Sequence, residues 1–247
     1  MRITVARSPK ELGEEAARLT AGALSVAVRK KGWARLALST GATQLEAISA
    51  LTRQKLPWHQ IEVFQVCERA GLDENDPGSC RKALKDRLIR RVNAARVHYL
   101  DGTDEGMKAI SREFSRAPID AALLGMGAQG QIGFNVSPAD FEADAPYICV
   151  ESSGQRLQTV SIRAMMRMNH VIVCAPYAIH AENVRQAMTR RLSEKYPVTA
   201  LKLHRNVDIL LDRESAEKIS VSLAAKFNPE MEMYRMMNGP LEENTEE

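Results

Sequence analysis

Three stretches of the chain hold residue types that can do chemistry. In Leu36-Ala37-Leu38-Ser39-Thr40-Gly41-Ala42-Thr43-Gln44 an apolar run stops at small, hydroxyl-bearing residues, and helical spacing resumes at Leu45, Ile48 and Leu51. A turn between a strand and a helix N-terminus gathers backbone N–H groups, and the helix dipole adds partial positive charge. Its natural ligand is an anion, typically phosphate. The second stretch is the polar run from Cys67 to Gly78, with Cys67, Glu68 and Asp73; the third is the glycine-rich run from Gly125 to Asn135, with Gln129 and Gln131. Small residues and glycines also serve plain tight turns, so each stretch alone is equally a connection. The first matches neither G-x-G-x-x-G nor G-x-x-x-x-G-K-[ST], and no cofactor is expected.

The elements that must position these stretches alternate along the chain. Ile3–Val5 reads as a strand, and Ser8-Pro9-Lys10-Glu11 is a capping box opening a helix to about Lys30. Further strands are expected at Trp33–Leu38, Ile61–Val66, Val97–Leu100, Ala121–Leu124, Tyr147–Val150, Thr159–Ile162, Val171–Cys174 and Val207–Leu211. Helices are expected after Ser79 to about Val92, and over Asp104–Phe114, Ile179–Arg191 and Ser215–Lys226, while Glu68–Gly78 reads as loop. This alternation argues an α/β fold, a doubly wound, mostly parallel, Rossmann-like sheet. Such sheets bind ligands beyond the carboxyl ends of their strands, at a topological switch point. Three irregular loops after strands make a stronger site argument than any one of them.

The totals bound the rest. The 247 residues suit one large α/β domain over residues 1–227, followed by a Met-containing tail, 228–247, with six Glu against one Arg. A net charge of +3 is too small to imply nucleic acid as a partner. Four widely spaced cysteines without a C-x-x-C pair point away from a disulfide framework or metal site and towards a reducing, cytoplasmic compartment. No apolar run reaches membrane-spanning length. The methionines at 231, 233, 236 and 237 could pack on a second subunit of a homo-oligomer or belong to a frayed tail.

With these loops in order, the sequence resembles the glucosamine-6-phosphate deaminase/isomerase family, whose superfamily includes the 6-phosphogluconolactonases. Leu38-Ser39-Thr40-Gly41-Ala42-Thr43 is similar to the family's L-A-T-G-S/A-T-P phosphate loop. Phe64-Gln65-Val66-Cys67-Glu68 resembles its F-x-x-D-E segment, and Asp76-Pro77-Gly78-Ser79-Cys80 looks closest to the galactosamine-6-phosphate branch. Leu124-Gly125-Met126-Gly127-Ala128-Gln129-Gly130-Gln131-Ile132-Gly133-Phe134-Asn135 resembles L-G-I-G-x-D/N-G-H-I-A-F-N-E, and Ala200-Leu201-Lys202-Leu203-His204-Arg205-Asn206-Val207 resembles A-L-Q-L-H-P-N-V. The match spans about residues 1–220 in the family's order.

The resemblance implies a sugar 6-phosphate ligand and a site in which this chain departs from the pattern. The carboxylate that takes the sugar's C2 proton falls on Cys67, the ring-opening His on Gln131, its acidic neighbour on Gln129, and the Glu completing that relay on Val136. A thiol is mostly protonated at neutral pH, and an amide neither accepts nor releases a proton there. The phosphate grip is kept in part: Thr40, Gly41, Ala42 and Thr43 match the loop, Arg156 matches the family's phosphate-binding Arg, and its Lys falls on His180. A lid helix of the deaminases has no counterpart between Arg156 and Leu157. The expected function is therefore sugar-phosphate binding with the family's catalysis lost. The alternative is an active isomerase/deaminase, or a 6-phosphogluconolactonase-like hydrolase, using relocated residues such as Glu68.

Overall fold

The computed structural model describes residues 1–220 and Leu223. The first helix begins and ends as its sequence dictates. Ser8 Oγ accepts the Glu11 N–H, Pro9 takes the first helical position, and α1 (Pro9–Lys31) stops at Gly32 with φ 82°. Arg29, Lys30 and Lys31 lie in its last turn, where positive charge complements the helix dipole.

The strands that follow are short and apolar. They form one seven-stranded sheet of β1 (Arg2–Ala6), β2 (Ala34–Leu38), β3 (Ile61–Gln65), β5 (Arg96–His98), β6 (Ala121–Gly125), β9 (Val171–Ala175) and β10 (Val207–Asp212). Their spatial order is β1-β10-β9-β6-β2-β3-β5, and every neighbouring pair is parallel. β2, β9 and β10 are buried at every residue, as expected for strands covered on both faces. One apolar cluster on the sheet contains Phe64, Phe114, Tyr147 and Met165; another contains Leu12, Leu24, Ile48 and Leu84. From β2 the chain winds one way to β3 and β5, then returns to β6 on the other side of β2. The direction of winding thus reverses between β2 and β6, and the loops after these two strands flank the crevice.

The helices between strands are α2 (Leu45–Leu51), α3 (Cys80–Arg87), α4 (Asp104–Ser115), α5 (Ile162–Met166) and α6 (Ala181–Thr189). Buried Arg35 joins β2 to the end of α4: its guanidinium lies 4.4 Å from the Phe64 ring centre and donates to the carbonyls of Glu113, Phe114 and Ala117. A charged donor fork thereby adds donors to carbonyls at the helix end, where intrahelical partners run out.

Three expectations need correction. Cys67–Arg69, read as the start of a loop, is a strand, β4; it joins β7 (Tyr147–Ser152) and β8 (Gln155–Val160) in a separate antiparallel sheet ordered β4-β8-β7. The 147–150 and 159–162 runs therefore form a hairpin rather than members of the parallel sheet, and Ile162 already begins α5. Residues 213–218 form turns, because Asp212 and Ser215 exchange side-chain and backbone bonds that close the chain on itself. The rest of the helix expected to Lys226, apart from Leu223, and the tail 228–247 lie outside the described residues. Among the described residues, no helix is long and apolar enough to cross a membrane.

α1 and α2 meet where Gly13 admits the start of α2. A Cβ at Gly13 would lie 2.6 Å from the Glu46 carbonyl carbon and 2.7 Å from the Ala47 nitrogen. Gly13→Ala should therefore lower stability by about 1–3 kcal/mol despite alanine's better helix propensity, read as a lower urea midpoint at unchanged slope.

Candidate functional site

The loops after β2, β6 and β9, with the segment that leaves β3, gather at the carboxyl edge of the parallel sheet. After β2 the chain runs through Ser39 and Gly41 into a single 3-10 turn, Ala42–Gln44, and then α2. Gly41 and Ala42 are exposed, whereas Thr40 and Gln44 are buried. The Thr40 hydroxyl donates to the Cys80 carbonyl at 3.3 Å, and Gln44 Nε2 donates to Thr43 Oγ1 at 2.7 Å. Gln44 Oε1 is buried with no hydrogen-bond partner. This turn meets β6 at Gly125, where a Cβ would lie 2.1 Å from Thr43 Oγ1, so only glycine lets the two loops approach so closely.

Beyond Gly125 the glycine-rich run folds tightly. The Gly127 N–H donates to the Gln131 carbonyl at 2.8 Å, and the Gln131 side chain returns to accept the Gln129 N–H at 3.0 Å. Gln131 is half-buried and Gln129 exposed. His180, at the entry of α6, is buried against this loop and hydrogen-bonded to Gly127 backbone. Burial pushes the His180 imidazole below its ordinary pKa, so it is neutral at pH 7, and its Nδ1 has no partner. From α6, Asn183 Nδ2 donates to the Ala128 carbonyl at 2.8 Å.

The segment after β3 brings Cys67, Glu68 and the first turn of α3 together. The Glu68 carboxylate is buried and accepts from Gln65 Nε2, the Arg69 N–H, Ser79 Oγ, the Cys80 N–H and the Arg81 N–H at 2.7–3.1 Å. A carboxylate offers about four lone-pair sites, and five donors fill them. Cys67 is buried and hydrogen-bonds Cys80; that bond and burial push its thiol well above the ordinary range. The same contact holds the Cys80 thiol below it.

The two remaining sequence candidates have other partners. In β8, Arg156 shares a face of the small sheet with Gln158, which turns it towards α4, where it pairs with Asp104 at 2.6 Å. Cys67 and Arg69 belong to the opposite face, with Thr159 and Leu157. Val136 lines a cavity of about 300 Å³ with Asn135, Ile148 and Cys149, none of whose lining residues comes from the Thr40–Thr43 turn. β7 and β8 are joined by the two-residue turn Ser153-Gly154, with φ 50° and 72°, in place of any longer insertion.

The cations that do adjoin the turn went unnoticed in the sequence. Arg87 donates from α3 to the Thr40 carbonyl, and Arg69 donates to the Gly78 carbonyl at 2.7 Å and lies over the Phe134 ring. Helical spacing from the Ser79 cap would have pointed to Arg87, two turns on from Cys80. Arg69 was hidden by reading its strand as loop.

Comparison with known proteins matches residues 7–210 to a family described as glucosamine-6-phosphate isomerases/6-phosphogluconolactonase. The chain is similar to glucosamine-6-phosphate deaminase 1 of Bacillus subtilis (strain 168), 28% identical over 242 residues that cover 87% of this chain and 98% of that protein. The glucosamine-6-phosphate deaminase of Halalkalibacterium halodurans is 27% identical over 215 residues, covering 76% and 87%. The solved structure of a monomeric glucosamine-6-phosphate deaminase superposes with a TM-score of 0.78 at 25% identity, covering 88% of this chain and all of that one. A 6-phosphogluconolactonase from Shewanella baltica OS155 superposes at 0.75 with 20% identity, covering 86% and 97%, which shows a common fold.

Glu68→Gln keeps the size of the side chain but removes the charge and one acceptor from this cluster. It should destabilise the protein by about 2–4 kcal/mol and unpin the first turn of α3, read by denaturant unfolding and by faster amide exchange at Cys80 and Arg81.

Proposed function

The chain belongs to the glucosamine-6-phosphate isomerase/6-phosphogluconolactonase family, and from that premise we propose that it binds a hexosamine 6-phosphate at the carboxyl edge of its sheet without performing the family's proton transfers. One observation carries the reading. The Cys67 thiol at the position of the base is buried and held protonated, and the adjoining carboxylate, Glu68, has every lone pair engaged. Gln129 and Gln131 supply amides where a ring-opening relay needs an acid and an imidazole. Each lost acid–base function removes about 10²–10⁴-fold in rate.

The anion is placed on the Thr40-Gly41-Ala42-Thr43 turn, with backbone N–H groups and the Thr43 hydroxyl as donors. His180 reaches it from the α6 side and Arg87 from α3. Arg156, the cation expected from the family pattern, serves the phosphate only by leaving Asp104. Buried Gln44 Oε1 is an acceptor for a sugar hydroxyl. The resemblance of the Asp76-Pro77-Gly78-Ser79-Cys80 run to the galactosamine-6-phosphate branch supports the galacto over the gluco epimer.

Thermal unfolding with glucosamine 6-phosphate, galactosamine 6-phosphate and 6-phosphogluconate, alongside ammonia release, tests this reading. At a hundred times its dissociation constant a ligand stabilises by about 2.7 kcal/mol. A shift with an amino-sugar phosphate and no ammonia is expected; ammonia release at about 1–10³ per second would overturn the reading. His180→Lys places a permanent cation where the native ring is neutral, and should tighten phosphate binding at pH 8 by about tenfold, read by calorimetric titration.

A further inference from the structure

Cys67 and Cys80 stand in contact beside the Thr40 turn with different surroundings. Cys67, in β4, is buried and donates its thiol proton towards Cys80. Cys80 is the first residue of α3, less buried, with Arg69 Nη1 at 4.0 Å from its sulfur and the Thr40 hydroxyl bonded to its carbonyl. The helix N-terminus, a guanidinium and a thiol thus favour negative charge on one sulfur. The neighbouring Glu68 carboxylate opposes that charge and is itself held by five hydrogen-bond donors. Through its bonds to the Cys80 and Arg81 N–H groups it also fixes β4 against α3, and with them the two sulfurs.

The geometry points to a redox-active pair in which Cys80 is the attacking thiolate and Cys67 the resolving thiol. The oxidant is a hydroperoxide. The Cys80 thiolate attacks the distal peroxide oxygen, the O–O bond breaks, and hydroxide or alkoxide leaves with the electron pair; Cys80 becomes a sulfenic acid. The Cys67 sulfur then attacks the Cys80 sulfur, expelling the sulfenic hydroxyl as hydroxide, which takes up the Cys67 proton and leaves as water. A Cys67–Cys80 disulfide remains, two electrons having passed from the thiols to the peroxide. A dithiol returns the protein to its starting state. Of the other two thiols, burial pushes Cys174 up to about 12, and Cys149 lies against Met107 and beside the Arg156 guanidinium in the small sheet.

The test is treatment of the full-length protein with hydrogen peroxide, quenching, and thiol counting in denaturant, followed by tryptic mapping without reductant. Arg69 and Arg81 are cleavage sites, so the two cysteines fall in separate peptides. The expected result is loss of two of the four thiols, one cross-linked pair joining residues 56–69 to 70–81, and recovery on adding dithiothreitol. Cys80→Ser should abolish the cross-link and leave Cys67 unoxidised. With the native protein alone, alkylation by limiting iodoacetamide should label Cys80 first. Cross-links to Cys149 or Cys174, four unchanged thiols, or Cys80 carried to the sulfinic acid while Cys67 stays reduced would overturn the assignment.

Discussion

The Glu68 carboxylate is the constraint on which the site depends. An ionised group out of water is costly unless its lone pairs are filled, and here two backbone N–H groups at the start of α3 help fill them, where the helix dipole favours a negative charge. The interaction joins the strand leaving the parallel sheet to the first turn of a helix eleven residues on. Through it the Cys80 carbonyl is set where the Thr40 hydroxyl donates to it, and Arg87, later in α3, reaches the Thr40 carbonyl. The anion turn, the two thiols and the small antiparallel sheet thus hang from one buried charge.

That commitment has a chemical consequence. The lone pairs of the Glu68 carboxylate are engaged in holding a helix in place, which is the ground for proposing a structural role for the acid beside Cys67. Binding and proton transfer are separable in such a fold. The cradle arises from topology, because the winding reverses between β2 and β6 and the turn after β2 opens into that crevice. Proton transfer rests on individual side chains, and those can change while the crevice persists.

Much of this was legible in the residues. Capping at Ser8 and Ser79 and the short apolar runs placed helices and the strands of the parallel sheet, because local hydrogen bonding and two-sided burial leave direct marks on sequence. The family segments marked the loops as neighbours, and Gly125 against Thr43 is the contact that makes two of them so. The small antiparallel sheet was not legible, since β4 is only Cys67–Arg69 and carries a charge at two of its positions. Nor was the direction of Arg156: it depends on strand parity in that sheet, and one residue's shift exchanges its two faces. Arg87 was missed because helical spacing marks its face of α3 but not the distant carbonyl that its side chain reaches.

Whether the site abstracts a proton is the central question, and isotope exchange answers it without requiring ammonia to be released. Glucosamine 6-phosphate and galactosamine 6-phosphate are incubated in deuterium oxide with stoichiometric protein, and the C2 hydrogen is followed by proton NMR while phosphorus line broadening reports binding. The account predicts a broadened phosphorus signal with C2 exchange no faster than in buffer. Exchange of the C2 hydrogen within minutes, abolished by Cys67→Ala or Glu68→Gln in folded protein, would contradict it.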